Sequence, residues 1–205
     1  MVFEITRHSE PHRLPAETGS DLELGAMVVT LIGYRASGKS SVAPRLAKRL
    51  GWSWVDCDDV IEQRAGASIK DIFEHEGEAG FRKRESEVLA ELLQQSDLVI
   101  ASGGGAILSE TNRSLIKAAG PVVWLQASVD VLARRLGGDN MSMQRRPSLT
   151  GRPIAEEVAE VLAVREPLYR ECATLIIDAG AERPAQMAER IAQHITGQEP
   201  QEITA

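Results

Sequence analysis

Short apolar runs alternate along this chain with stretches whose apolar residues recur every three or four positions. Met27–Ile32 (MVVTLI) is apolar and β-branched almost throughout, the pattern of a strand buried on both faces of a parallel sheet. Ser53–Asp56, Leu98–Ala101, Val122–Leu125 and Leu175–Asp178 are shorter runs that also read as strands. Between them, helical spacing predicts Lys39–Leu50, Asp59–Ala65, Gly77–Gln95, Glu110–Ala119, Val129–Leu136, Ile154–Leu168 and Pro184–Ile195. The last stretch gathers Met187, Ala188, Ile191, Ala192 and Ile195 on one face, as a docking helix does. Strands separated by helices require right-handed crossovers, so the expected fold is α/β: three layers, α/β/α, around a five-stranded parallel sheet. Each predicted strand ends in a polar or glycine-rich turn, at the sheet edge where such folds place ligands.

Composition narrows this picture. A chain of 205 residues suits one domain with a full core. Residues 1–25 carry Pro11, Pro15 and scattered charge and read as a poorly ordered extension. The domain is expected over 26–197, with a frayed tail over 198–205. A net charge of −7 speaks against a nucleic-acid partner. No apolar run approaches the ~20 residues of a membrane span, and the first residues lack the apolar core of a secretory signal. Cys57 and Cys172 offer no framework of paired spacings, which fits a reducing compartment, and a cytoplasmic location is expected. His8, His12, His75 and His194 are scattered, without metal-ligand spacing to either cysteine.

The run Gly33-Tyr34-Arg35-Ala36-Ser37-Gly38-Lys39-Ser40 fits the phosphate-binding loop G-x-x-x-x-G-K-[ST], and it lies between a predicted strand and a predicted helix. That context gives the motif its chemistry. Backbone N–H groups wrap phosphates, the helix N-terminus adds its dipole, Lys39 reaches the β and γ oxygens, and Ser40 is suited to Mg²⁺. ATP or GTP is the expected ligand class.

Other residues gather at strand ends. Asp56 and Asp58 stand two apart, and in an extended segment that spacing points both carboxylates one way. One would serve an outer shell of Mg²⁺ and the other a substrate hydroxyl, although Asp58 or Asp59 is equally suited to capping the next helix. Ser102-Gly103-Gly104-Gly105 follows the third strand, and three glycines there suit the close approach of a ligand or a second backbone, or else a loose loop. Arg82 and Arg165 lie on predicted helices, where an arginine is ordinarily a solvated residue but is also the side chain that clamps a carboxylate. The helix bearing Arg165 is expected to end at Pro167. Residues 137–153 fit no element and carry Arg145, Arg146 and Arg152, which suits a loop closing over a triphosphate.

Taken together, GYRASGKSS at 33–41, DCDDVIE at 56–62, GEAGFRKRE at 77–85, SGGGA at 102–106, RRP at 145–147 and REPLY at 165–169 resemble the shikimate kinase family. These are small P-loop kinases related in fold to the nucleoside monophosphate kinases, and the similarity runs from Met27 to Ile195. The resemblance implies ATP-dependent, Mg²⁺-assisted phosphorylation of the 3-hydroxyl of shikimate, with ATP and shikimate as partners and a monomeric chain. It implies that Ala36, Ser37, Gly38, Lys39, Ser40 and Ser41 hold ATP phosphates, that Ser40 serves the metal directly, and that Asp56 does so through water. Asp58 becomes the candidate base and acceptor ligand, with Arg82 and Arg165 gripping the acceptor carboxylate and Gly103, Gly104 and Gly105 giving room to the ring. Arg146 is matched to the arginine that reaches the transferring phosphoryl, with Arg145 and Arg152 as the alternatives for that role, and Arg135 to the one beside adenine. The segment from Asp178 to Pro184 resembles the adenine-side loop. Tyr34 and Arg35 stand where the family commonly has small or apolar residues. Two other readings share the phosphate loop: another small-molecule kinase of this fold, such as a gluconate or nucleoside monophosphate kinase, and a nucleotide-binding protein without catalysis.

Overall fold

The computed structural model describes residues 27–138 and 153–197. In chain order they form β1 (Val28–Ile32), α1 (Lys39–Leu50), β2 (Ser53–Asp56), α2 (Cys57–Ala65), α3 (Ile69–Leu92), β3 (Leu98–Ala101), a 3₁₀ turn (Ala106–Leu108) and α4 (Glu110–Ala119). There follow β4 (Val122–Gln126), α5 (Val129–Gly138), α6 (Ile154–Cys172), β5 (Leu175–Asp178) and α7 (Pro184–Thr196). The sheet order is β2-β3-β1-β4-β5 and all pairs are parallel, so the expected three-layer α/β fold with five parallel strands is what forms.

The period of two in each strand divides the core. Val28, Ile32, Leu98, Ile100, Val122 and Trp124 face one layer with α2, α3, α4 and α6. Val29, Leu31, Val99, Ala101, Val123, Leu125 and Ile177 face the other, against α1 and α7. β1 lies at the centre and all five of its residues are buried, which is why MVVTLI shows no polar alternation. A third, smaller cluster joins Tyr34 of the phosphate loop to Leu132 and Leu136 of α5 and Val158 of α6.

Most boundaries differ from expectation by three residues or fewer, and three of the differences bear on the site. α3 begins at Ile69 rather than Gly77: Ser68 Oγ accepts from the Asp71 amide at 3.2 Å, and an Asp71 carboxylate oxygen accepts from the Ser68 amide at 3.2 Å. Gly77 then interrupts the helical geometry (φ 68°, ψ −177°), so Ile69 and Ile72 do not share one periodicity with Phe81, Val88 and Leu92. α6 does not stop at Pro167 but runs to Cys172. An interior proline costs roughly 3 kcal/mol through its missing N–H. Burial of Tyr169 and Cys172 beyond it, with Tyr169 stacked on Trp124, offsets that cost. α5 continues through Gly137 and Gly138, which shortens the expected loop at its start. The rest of that loop, with Arg145, Arg146 and Arg152, lies outside the described residues, as do the N-terminal extension and the tail.

Candidate active site

The phosphate loop leaves β1 at Gly33 and enters α1 at Lys39. Gly33 has φ +142°, and a side chain there would meet the Leu125 carbonyl oxygen at 2.7 Å. Ala36 holds a left-handed conformation (φ 62°), strain of a kind that concentrates at functional loops. Two cations fix the loop. Lys39 Nζ donates to the Gly33 and Tyr34 carbonyls at 2.8 and 2.9 Å, and Arg135 Nη1 donates to those of Ala36 and Ser37 at 3.2 and 3.4 Å. Arg135 Nη2 also donates to the Ala179 carbonyl at 2.6 Å, tying the loop to the β5–α7 connection. With its carbonyls occupied in this way and no acidic residue in the first turn of α1, the loop suits an anion. Ser37 is fully buried and does not line the cavity described below.

Asp56, at the end of β2, is the N-cap of α2: its Oδ1 accepts from the Asp58 amide at 3.0 Å. Its Oδ2 accepts from Ser40 Oγ at 2.6 Å. This corrects two readings. Neither Asp58 nor Asp59 is the cap, and Asp58 sits in the first helical turn rather than in extended chain. Both carboxylates still face one cavity, because the cap and the first turn share the mouth of the helix.

Two of the three glycines after β3, Gly103 and Gly105, are spaces filled by other residues' side chains. A Cβ on Gly103 would collide with Glu85 Oε1 and lie 3.3 Å from Asp58 Oδ1. On Gly105 it would strike the Arg82 guanidinium, 2.7 Å from Cζ. On Gly104 it would lie 3.4 Å from both the Gly33 oxygen and the Arg35 nitrogen, and 3.7 Å from Arg165 Nη1. The loop is therefore the close-approach element, not a loose one. Arg165 Nη1 donates to the Gly104 carbonyl at 3.1 Å, and the Tyr169 hydroxyl donates to the same oxygen at 2.6 Å.

A cavity of about 720 Å³ opens at the C-terminal ends of β1, β2 and β3. The phosphate loop, Ser40, Ser41, Asp56, Asp58 and Gly104 line it, with Arg134, Arg135, Pro184 and Met187 on the far side. Arg82 and Arg165 border the glycine loop rather than line this cavity. Arg146 lies outside the described residues.

Sequence reasoning missed two partners. Glu85 is 1% exposed, and its Oε2 accepts from Arg82 Nη1 at 2.6 Å. The signal was available: Glu85 occupies a core position in the buried stripe Phe81–Glu85–Val88–Leu92, where a carboxylate is tolerated only with a partner. Arg35 pairs with Glu157 of α6 at 3.2 Å, a contact between distant segments that no local pattern announces. Cys57 lies buried beneath these groups; loss of water, then the carboxylates of Asp56, Asp58 and Glu85, push its thiol well above the ordinary range.

Known proteins resemble this chain in sequence and fold. A family model described as shikimate kinase matches residues 35–196. A shikimate kinase of Rhodopirellula baltica is 51% identical over 148 residues, covering 72% of this chain and 79% of that protein. One from Nitrosomonas europaea is 39% identical over 203 residues, covering 99% of this chain and 92% of that one. Among solved structures, shikimate kinase from Acinetobacter baumannii in complex with shikimate superposes with a TM-score of 0.78 at 37% identity, covering 85% of this chain and 95% of that chain. With the phosphate loop, the paired aspartates and the glycine loop in one cavity, the chain belongs to the shikimate kinase family.

Proposed function

We propose that this protein transfers the γ-phosphoryl group of ATP to the 3-hydroxyl of shikimate, giving shikimate 3-phosphate and ADP on the route to chorismate and the aromatic amino acids. Membership of the family supports the reaction. The observation that carries the residue roles is the convergence of Asp58, Glu85, Arg82 and Arg165 on a glycine loop whose Gly104 lies within one methyl group's reach of the phosphate loop.

Phosphoryl transfer demands little covalent chemistry from the protein, so alignment and charge neutralisation supply most of the rate. Lys39, Ser40, Ser41 and the amides of Ala36, Ser37 and Gly38 hold the triphosphate; Arg135 and the Asp178–Pro184 segment take the adenine side. Asp58 accepts the proton of the attacking hydroxyl. Arg82, held by Glu85, and Arg165, braced on Gly104, orient the acceptor carboxylate; Gly103 and Gly105 leave room for Glu85 and Arg82 rather than for the ring itself, which corrects that expectation. By resemblance, Arg146 reaches the transferring phosphoryl. The Ser40 hydroxyl and the Asp56 carboxylate are hard oxygen donors that fit Mg²⁺, with Asp56 acting through water. When bound, the metal neutralises phosphate charge. Among the described residues there is no group of three or more His, Cys, Asp or Glu able to hold a metal ion, in keeping with an ion carried mainly by phosphates and water. No helix among the described residues is long and apolar enough to cross a membrane. Two free, buried cysteines support a cytoplasmic setting, and we take the catalytic unit to be a monomer of 26–197 without a nucleic-acid partner.

The test is ADP release with Mg·ATP and a panel of shikimate, shikimate methyl ester, gluconate, AMP and CMP. Turnover confined to shikimate is expected, with the ester poor because it offers the arginines no charge. Turnover of gluconate or a nucleotide would replace the acceptor assignment; binding of ATP without turnover of any of them would point to a non-catalytic role.

A further inference from the structure

The Gly104 carbonyl accepts two hydrogen bonds from one helix. Arg165 and Tyr169 stand one turn apart on α6, and both donate to that oxygen, at 3.1 and 2.6 Å. A carbonyl has two lone pairs, so the pair of donors saturates it. The phenol lies in the interior: Tyr169 is fully buried, and its ring stacks on Trp124 of β4 with centroids 5.8 Å apart. Across Gly104, the position of its absent side chain is 3.4 Å from the Gly33 oxygen and the Arg35 nitrogen. The same Gly33 oxygen accepts from Lys39. Stacking and a hydrogen bond therefore lead from the sheet through Tyr169 to Gly104, which lies within the reach of one methyl group from the phosphate loop.

We propose that Tyr169 is a positioning residue of this kinase, whose hydroxyl fixes the Gly104 peptide and thereby the spacing between the acceptor loop and the phosphate loop. The inference rests on the acceptor reading above. Tyr169 lies behind the loop and serves the reaction through Gly104 and Arg165. It holds the carbonyl so that Arg165 commits only one N–H there and keeps the rest of its fork for a carboxylate. Burial raises its phenol to about 12, against the opposing pull of Arg165, so it stays a donor at any ordinary assay pH. The spacing matters because misplacement of reacting groups by ~1 Å is enough to cost about a hundredfold in rate.

Tyr169→Phe in the full chain removes the hydroxyl and keeps the stacked ring. The expected result is about a two- to threefold rise in the shikimate KM and a fall in kcat of similar size, together the scale of one lost hydrogen bond. The Kd of ADP, titrated without shikimate, stays within about twofold of wild type. Unchanged KM and kcat would overturn the proposal. So would a loss of ADP affinity in step with a lowered melting temperature, which marks a merely structural role. If Tyr169→Phe does not fold, Gly104→Val tests the same spacing from the other side, because its Cβ already stands at contact distance, 3.4 Å, from the Gly33 oxygen and the Arg35 nitrogen and its two further methyl groups add bulk there. Unaltered kcat in that variant overturns the proposal. Wild type in the same assay separates the two failures: if it leaves shikimate untouched, the acceptor reading falls and this proposal with it, whereas an active wild type with an indifferent variant sinks the proposal alone.

Discussion

Glu85 sits where the helix pattern calls for a Leu. Burying a lone carboxylate costs several kcal/mol, and the pair with Arg82 is what makes the position tolerable. The gain is directional: with Oε2 engaged by Arg82 Nη1, the guanidinium is held against Gly105 instead of sampling solvent. Cys57 and Tyr169 are buried beside it, and each holds its proton more tightly than in an unfolded chain. The sign follows. Such groups add stability in full below their unfolded values, and that stability is lost as pH rises, above 9.0 for Cys57 and between 10.0 and about 12 for Tyr169. Thermal melts from about pH 7 to about pH 11 should therefore show stability falling above pH 9, with a shallower fall for Cys57→Ala. A flat profile, or an identical slope in the variant, would contradict this. At this scale the sequence was legible where function is contiguous: Gly33 to Ser41 announced itself. The Arg35–Glu157 and Glu85–Gly103 meetings join segments far apart in the chain, and no local spacing encodes them.

Helix α3 shows how an element is missed. Its first turns depend on the reciprocal bonds of Ser68 and Asp71, and Gly77 resets the helical phase before Phe81. A periodicity search sees two short patterns out of register and keeps the longer. The capping residues Ser68 and Asp71 were visible in the sequence all the same. Ser68→Ala is expected to cost about 1 kcal/mol of stability while kcat and KM stay at wild-type values, because the cap is remote from the cavity. Denaturant melts beside steady-state kinetics check it; altered KM would mean that the start of α3 communicates with Arg82. In α6 the error ran the other way. Pro167 reads as a stop, but the helix is carried through it by Tyr169, whose ring on Trp124 is a tertiary contact.

For the molecule as a whole, the alternation of strand and helix was enough to give an α/β sheet with helices on both faces. It did not give the order β2-β3-β1-β4-β5. Periodicity says which face a side chain occupies, and not which strand lies beside it. That order is what makes the site. It sets β1 next to β3, so the phosphate loop and the glycine loop leave the sheet side by side and approach each other most closely around Gly104, where an added methyl group would meet Gly33 and Arg35. It sets β2 beyond β3, so Asp56 and Asp58 reach the same cavity from the far side. The chain is acidic overall, at −7, yet Lys39, Arg35, Arg134 and Arg135 gather around this one opening, where a polyphosphate needs them.

The central claim is that nucleotide and acceptor meet across Asp58. The most direct test is Asp58→Asn, with kcat measured on Mg·ATP and shikimate and the Kd of ADP measured in parallel. Loss of a general base predicts a fall in kcat of roughly 10²- to 10⁴-fold, with ADP affinity unchanged. A kcat near that of wild type would remove Asp58 from the reaction and contradict the arrangement of the acceptor half built around it.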